Sequence, residues 1–202
     1  EVRMALIEDT SSAGNMLGTR KRILFLCLAC ALVACANPLN QITYERYTDQ
    51  AREAEKRGDV GTAEEAYYRA AMNVQWGHLG ENAEEESLYN LGRTKRLVSK
   101  LDESENLLKR ALAINEKGGG PEHVRTIATQ LELAATYFEA KKYEEGMSLL
   151  LRIEPVVLKY NQGYTEQARR FIKKLYDKYA TELSGQGKAQ EAERFKKVSD
   201  SF

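Results

Sequence analysis

The reactive side chains of this 202-residue chain are few, with three cysteines and two histidines among them. Cys27 and Cys30 form a C-x-x-C pair, a spacing used for thiol–disulfide exchange or for one half of a metal site. No second cysteine pair follows, and both sulfurs fall within Ile23–Ala34, a run of twelve residues without a charge. That run starts directly after Arg20-Lys21-Arg22 and ends in small residues. A basic segment, a short apolar segment and a small-residue end together make an export signal. The run is too short for a membrane span, which needs about 20 residues. The C-x-x-C pair therefore belongs to a signal and not to a redox or metal centre. His78 and His123 stand 45 residues apart, neither with a second ligand at a spacing such as H-E-x-x-H. No serine has a G-x-S-x-G setting. Gly118-Gly119-Gly120 lacks the following Gly-Lys-Ser/Thr of a phosphate-binding loop. Glu84-Glu85-Glu86 and Glu144-Glu145 fall at expected helix starts, where the dipole favours acids. His123 lies in a Gly-Pro-Glu-His turn and is expected to cap or pack a helix. The chain is not expected to be an enzyme, and no catalytic residue, metal or cofactor is assigned.

Cys35 remains. The tetrapeptide Leu32-Val33-Ala34-Cys35 resembles the lipobox of bacterial lipoproteins, with Leu three positions before the cysteine and a small residue just before it. The resemblance implies that a diacylglycerol is joined to the Cys35 sulfur, that the signal is removed, and that Cys35 then carries fatty acyl chains such as palmitate. Ala36 follows, with no Asp to retain the protein in an inner membrane as in enterobacteria. The expected location is the bacterial cell envelope, on the periplasmic side of the outer membrane if the source has two. Residues 1–15 carry Glu1, Glu8 and Asp9 ahead of the basic triplet and open without Met. They are read as a non-native or mis-assigned extension, with Met16 the better start. The expected organisation is then a signal peptide at 16–34, a lipidated cysteine and short linker at 35–42, and one helical domain at 43–202. Cys35 is the last cysteine, so residues 35–202 hold no internal disulfide and fold on packing alone.

Thirty basic and thirty acidic residues give no net charge. Such a balance offers no general attraction to nucleic acid, and no nucleic-acid partner is expected. Only three prolines occur, at 38, 121 and 155, in a chain rich in Ala, Glu, Lys, Leu and Arg, which favours helix throughout. The helical region repeats. Small residues recur at Ala51, Gly92, Ala134 and Ala180, spaced by 41, 42 and 46 residues. Twelve residues after each comes a second small residue, at Ala63, Ser104, Gly146 and Ala192. Four further on stand Tyr67, Leu108 and Leu150, and three beyond those Ala70, Ala111 and Ile153. Before the second small residue lies a turn ending in an apolar position: Gly58-Asp59-Val60, Ser99-Lys100-Leu101, Lys141-Lys142-Tyr143 and Gly187-Lys188-Ala189. Paired small residues let two antiparallel helices approach closely, and larger residues at helical spacing fill the seam. One pair cannot bury its own apolar face, so the pairs must stack.

The pattern resembles the tetratricopeptide repeat, in the longer form typical of kinesin light chains. Ser87-Leu88-Tyr89-Asn90-Leu91-Gly92 and Arg110-Ala111-Leu112-Ala113-Ile114-Asn115-Glu116-Lys117, followed by Gly120-Pro121-Glu122-His123, carry the resemblance best. It implies an all-α solenoid of about four helix pairs: 43–57 with 60–76, 81–99 with 102–117, 121–140 with 144–160, and 164–184 with 188–200. Asp59 and Asp102 are expected N-caps. Lys95 departs from the family by occupying a usually aromatic position, and Pro155 is expected to kink or shorten its helix. In this family the first helix of each pair lines a concave groove. Carried over by position, the groove residues are Arg52, Tyr89, Asn90, Arg93, Arg96 and Phe138. Asn90 matches the asparagine that holds the backbone of an extended peptide, a task that suits an amide because it both donates and accepts. The neighbouring arginines either favour an acidic segment or are paired to nearby glutamates. The resulting expectation is a lipid-anchored scaffold that binds protein partners of the envelope in its groove. The rival readings are an envelope hydrolase and a cytosolic adaptor with an accidental apolar N-terminus.

Overall fold

The computed structural model describes residues 37–159 and 163–202. Cys35, the signal at 16–34 and residues 1–15 lie outside the described residues. Every regular element within them is a helix: α1 (Pro38–Lys56), α2 (Val60–Gly77), α3 (Glu81–Leu97), α4 (Leu101–Gly119), α5 (Val124–Glu139), α6 (Tyr143–Lys159), α7 (Gly163–Gly185) and α8 (Ala189–Asp200). Odd-numbered and even-numbered helices pair as the A and B helices of four antiparallel hairpins, stacked in chain order.

The four hairpin turns are the same structure. Gly58, Ser99, Lys141 and Gly187 take positive φ of 73°, 61°, 61° and 76°. The next residue then donates its N–H back across the helix end: Asp59 to Ala54, Lys100 to Lys95, Lys142 to Tyr137 and Lys188 to Leu183, at 2.8–2.9 Å. This closure satisfies carbonyls that the last helical turn would otherwise leave bare. Glycine adopts it freely, whereas Ser99 and Lys141 hold it with a Cβ in the left-handed region. Each B helix opens at the apolar residue that ends its turn, Val60, Leu101, Tyr143 and Ala189; the last three starts differ by one residue from the expected 102, 144 and 188.

Several boundaries differ from expectation, each for a local reason. The helix α1 starts at Pro38, so residues 38–42 are helix and not linker. The Asn37 side chain accepts the Leu39 N–H at 3.0 Å, and Pro38 sits where a helix needs no donor. Asp59 caps α2 by accepting the Thr62 N–H at 3.1 Å, but Asp102 caps nothing, because α4 begins one residue earlier and places it in the first turn. Gly120, at φ 80°, stops α4; Pro121 stays in the turn, and His123 Nδ1 caps α5 by accepting the Arg125 N–H at 3.4 Å. Helix α6 runs through Pro155. The ring lies on the exposed face, while Ile153 and Val157 on the other side stay buried.

The seam follows the small residues. Ala51 and Ala134 have no exposed surface, and Ala180 is nearly closed. A Cβ on Gly92 would lie 2.8 Å from Leu108 Cγ and 3.3 Å from Leu107 Cβ, so α3 and α4 touch there closely enough to exclude a methyl group. At Gly146 a Cβ would stand 2.9 Å from the Phe138 ring. Tyr67, Leu108 and Leu150 fill the matching positions of three repeats and are buried. Burying a side chain of that size contributes roughly 1.5–3 kcal/mol. The largest core cluster joins α5, α6 and α7 around Phe138, Leu150, Ile153, Ile172 and Tyr176. The last helix, α8, packs on α7 alone among the described residues.

Ion pairs tie the first repeat to the second and the second to the third. Lys95 of α3 places Nζ 2.6 Å from Glu64 of α2 and 2.6 Å from Glu103 of α4, where the family has an aromatic ring. Burial pulls the Lys95 ammonium down, but Glu103 and Glu64 outweigh it and hold its pKa above the ordinary value. Glu85 of α3, 6% exposed, accepts from Arg125 of α5 and from Asn115 of α4, both at 2.9 Å. Arg96 of α3, 11% exposed, reaches Glu132 and Glu139 of α5 at 2.8 Å each. Arg93 pairs with Glu55 of α1, which also accepts the Tyr67 hydroxyl at 3.1 Å.

Two substitutions test this packing. Gly92→Ala is expected to lower the free energy of unfolding by about 1–3 kcal/mol through overpacking against Leu108. Chemical denaturation measures it, and an unchanged midpoint would take Gly92 out of the seam. Arg96→Glu is expected to cost about 2–4 kcal/mol, scaled down from a wholly buried pair, because it leaves three carboxylates together. A variant as stable as the parent would show that Arg96 does not link α3 to α5.

Candidate protein-binding groove

Two adjoining hollows run along the A helices. The first, about 270 Å³, is polar: Arg52 from α1; Glu85, Glu86, Tyr89 and Asn90 from α3; and Arg125, Ala128 and Thr129 from α5. The second, about 320 Å³, is mostly apolar, with Val124, Ile127 and Leu131 from α5 and Ala168 and Phe171 from α7. Tyr89 and Ala128 line both, which makes them one groove. No B-helix residue lines either hollow. A larger hollow of about 570 Å³ opens on the other side, between the B helices α2 and α4 around Tyr68, Met72, Leu107 and Arg110.

Of the residues carried over by position, Arg52, Tyr89 and Asn90 line the groove. Tyr89 is half-buried, its ring resting on the cluster of Leu108, Leu112, Leu133 and Tyr137. Burial first, and then the Glu132 carboxylate, push its phenol up to about 12, so it stays a neutral donor in ordinary conditions. Its hydroxyl makes no hydrogen bond with any described residue, and neither does the half-buried carboxamide of Asn90.

The cations behave differently. Arg52 lies 2.9 Å from Glu86 and 3.3 Å from Asp49. Arg125 holds Glu85, and Arg93 and Arg96 are held by Glu55, Glu132 and Glu139. Arg93 and Arg96 line neither hollow and serve as ties between A helices. Of the two roles open to them, pairing with glutamates is the one the geometry shows. Phe138 is a correction: it is 1% exposed, with its ring 6.0 Å from Tyr143 and 5.7 Å from Tyr179. It stands four residues beyond Ala134, near the end of α5, where the helix turns onto α6 and α7 and no longer faces the groove.

Arg125, Ile127, Leu131 and Phe171 belong to the groove and were missed. Leu131 stands three residues before Ala134, as Tyr89 does before Gly92; Arg125 and Phe171 both stand nine residues before the small residue of their helices. Reading the three-residue offset of Tyr89 across the repeats finds Leu131. The histidines take structural places: His123 caps α5, and His78 ends α2 with φ 49°. Among the described residues no three His, Cys, Asp or Glu side chains converge as a metal site would require.

Residues 84–152 match the tetratricopeptide repeat family model. No curated protein sequence matches the chain. Among solved structures, the chain is similar to BtubC (BKLC) from P. vanneervenii, with a TM-score of 0.66 at 15% identity, over 80% of this chain and 63% of that one. The chain thus spans less than two thirds of the length of BtubC. It is also similar to the nearly identical TPR-like repeats of a candidate kinesin light chain from Podosopora anserina. A point variant of those repeats gives a TM-score of 0.63 at 22% identity, over 77% of this chain and 72% of that one. A second structure of those repeats gives 0.59 at 20% identity, covering 78% and 74%. At such identities the likeness establishes the fold alone. Tetratricopeptide arrays are in general non-catalytic scaffolds for other proteins. Residues 84–152 thus match the tetratricopeptide repeat, and the eight described helices build an α-solenoid with the fold of these structures.

Proposed function

We propose that this chain is a lipid-anchored scaffold of a bacterial cell envelope that holds an extended segment of a partner protein in the groove of its A helices. One observation carries the binding half of the proposal: the Tyr89 hydroxyl and Asn90 carboxamide stand half-buried and without hydrogen-bond partners among the described residues, while every cation beside them is paired. A partner therefore meets amide and phenol groups that suit its backbone, followed by apolar contacts from Ile127, Leu131 and Phe171. The neutralised arginines argue against selection for acidic segments. The groove is favoured over the larger hollow between α2 and α4 because only the groove draws on the A helices of all four repeats and offers these uncommitted groups. The anchoring half rests on Arg20-Lys21-Arg22, the charge-free run and Leu32-Val33-Ala34-Cys35.

Each half has its own test. Wild type expressed in bacteria is expected to incorporate labelled fatty acid and to sediment with membranes, and Cys35→Ser to do neither. Equal labelling of the variant would end the anchor proposal. Asn90→Ala is expected to weaken binding of the envelope partner by about 1–3 kcal/mol, through loss of backbone hydrogen bonds. Its stability should change little, since the carboxamide bonds to nothing described within the chain. Titration calorimetry with a partner recovered from detergent-solubilised envelopes reads this, and undiminished affinity would move the interaction off the groove.

A further inference from the structure

Five of the eight exposed large apolar side chains among the described residues lie on the rim of A-helix starts and B-helix ends, while Tyr68, Leu97 and Leu151 lie elsewhere. Leu39 and Ile42, at 73% and 62% exposure, lie in the opening turns of α1, and Trp76, at 65%, is the penultimate residue of α2. These helix ends are joined: the Asn37 N–H donates to the Gly77 carbonyl at 3.0 Å, and the Asn40 amide donates to Asn73 Oδ1 at 3.2 Å. Val124 opens α5 and Leu158 is the penultimate residue of α6, both exposed, so the third repeat presents apolar side chains at the same ends of its own helices. Charge on this rim is balanced, with Lys117 2.5 Å from Glu81 and Lys159 3.6 Å from Glu122. The apolar cluster at these helix ends is therefore densest at the first repeat, and the charges beside it at the second and third repeats are paired.

Cys35 precedes it immediately. Ala36 and Asn37 are the only residues between that cysteine and Pro38, the first residue of α1. Two residues extend to no more than about 7 Å. An acyl chain on Cys35 would thus leave the start of α1 no room to stand clear of the headgroups. The geometry points to this rim as a membrane-contact surface: Leu39, Ile42 and Trp76 rest at the lipid interface and fix the first repeat against the bilayer. The inference rests on the anchor proposed above, and the occupant it names is a lipid surface. Tryptophan suits that place, with an apolar ring body and a polar N–H, and the amphipathic start of α1 supplies the aliphatic contacts. Since the A and B helices stand with one end on the lipid, the groove between the A helices faces sideways, and a bound segment runs along the membrane surface.

Trp76 is the chain's single tryptophan, so its emission reports this contact directly. The test uses full-length protein recovered from bacterial membranes and placed in vesicles of phosphatidylethanolamine and phosphatidylglycerol, with or without brominated acyl chains. Acylation of Cys35 is read separately by mass spectrometry. The acylated chain is expected to show blue-shifted Trp76 emission, with a clear loss of intensity in brominated vesicles. The acylated Leu39→Ser/Ile42→Ser variant is expected to lose most of that quenching while keeping its helical circular dichroism, because both side chains are exposed. Acylated protein whose Trp76 emission stays at its solvent value in both kinds of vesicle overturns this inference and leaves the anchor standing. Absence of acylation overturns the anchor and this inference together. Equal quenching in the double variant overturns the role given to α1.

Discussion

Close approach between the A and B helices of each repeat is the constraint on which the rest depends. It is enforced at one point of each A helix, by Ala51, Gly92, Ala134 and Ala180, and answered by a small residue on the B helix. At Gly92 the contact leaves no room even for a methyl group. Once that distance is set, the larger side chains four and seven residues further along the B helix have only one place to go. Tyr67, Leu108 and Leu150 enter it as equivalents despite their different chemistry. The turns at Gly58, Ser99, Lys141 and Gly187 then return the chain through the same closing hydrogen bond each time, and successive A helices form the wall of one groove.

That wall is held by charge as much as by apolar contact. Lys95 between Glu64 and Glu103, Glu85 between Arg125 and Asn115, and Arg96 between Glu132 and Glu139 each span two or three helices. Pairs at this depth give a specific register more readily than they give raw stability, since desolvation offsets much of their attraction. They also decide what the groove can bind. A wall whose cations are already neutralised presents polar groups that form directed hydrogen bonds, with little net field to attract a partner from a distance.

The repeat register and hairpin turns were legible because both reduce to spacing. Small residues recurring at about 42 residues announced the seam, and Gly58-Asp59-Val60 and its equivalents announced each B-helix start to within one residue. The groove was legible only in part. Position within an A helix located Tyr89 and Asn90, which line a hollow walled by A helices on either side. The same rule failed for Phe138, because the end of α5 is closed over by Tyr143 and Tyr179 from helices further along the chain. Whether Arg93 and Arg96 were free could not be read from their own helix. The answer lies in Glu55, Glu132 and Glu139, 36 to 43 residues away for the Arg96 contacts and 38 for Arg93. The early start of α1 went unread because Asn37-Pro38 looks like a linker until Asn37 is seen to cap the helix.

The lone attachment of α8 bears on how the molecule opens. In a stacked array each element is secured by its neighbours in space, and α8, like α1 at the other end, has one where the six helices between them have two or more. Fraying can therefore begin at the C-terminal end and travel inward, detaching α8 and then exposing the outer side of α7 before any earlier repeat is disturbed. Phe171 and Gln167 of α7 form part of the groove's far wall. An occupant that bridges α5 and α7 would draw on this terminal equilibrium, shifting a partly opened population toward the closed one. Amide hydrogen exchange along α7 and α8 would slow on binding even where no atom of the ligand reaches.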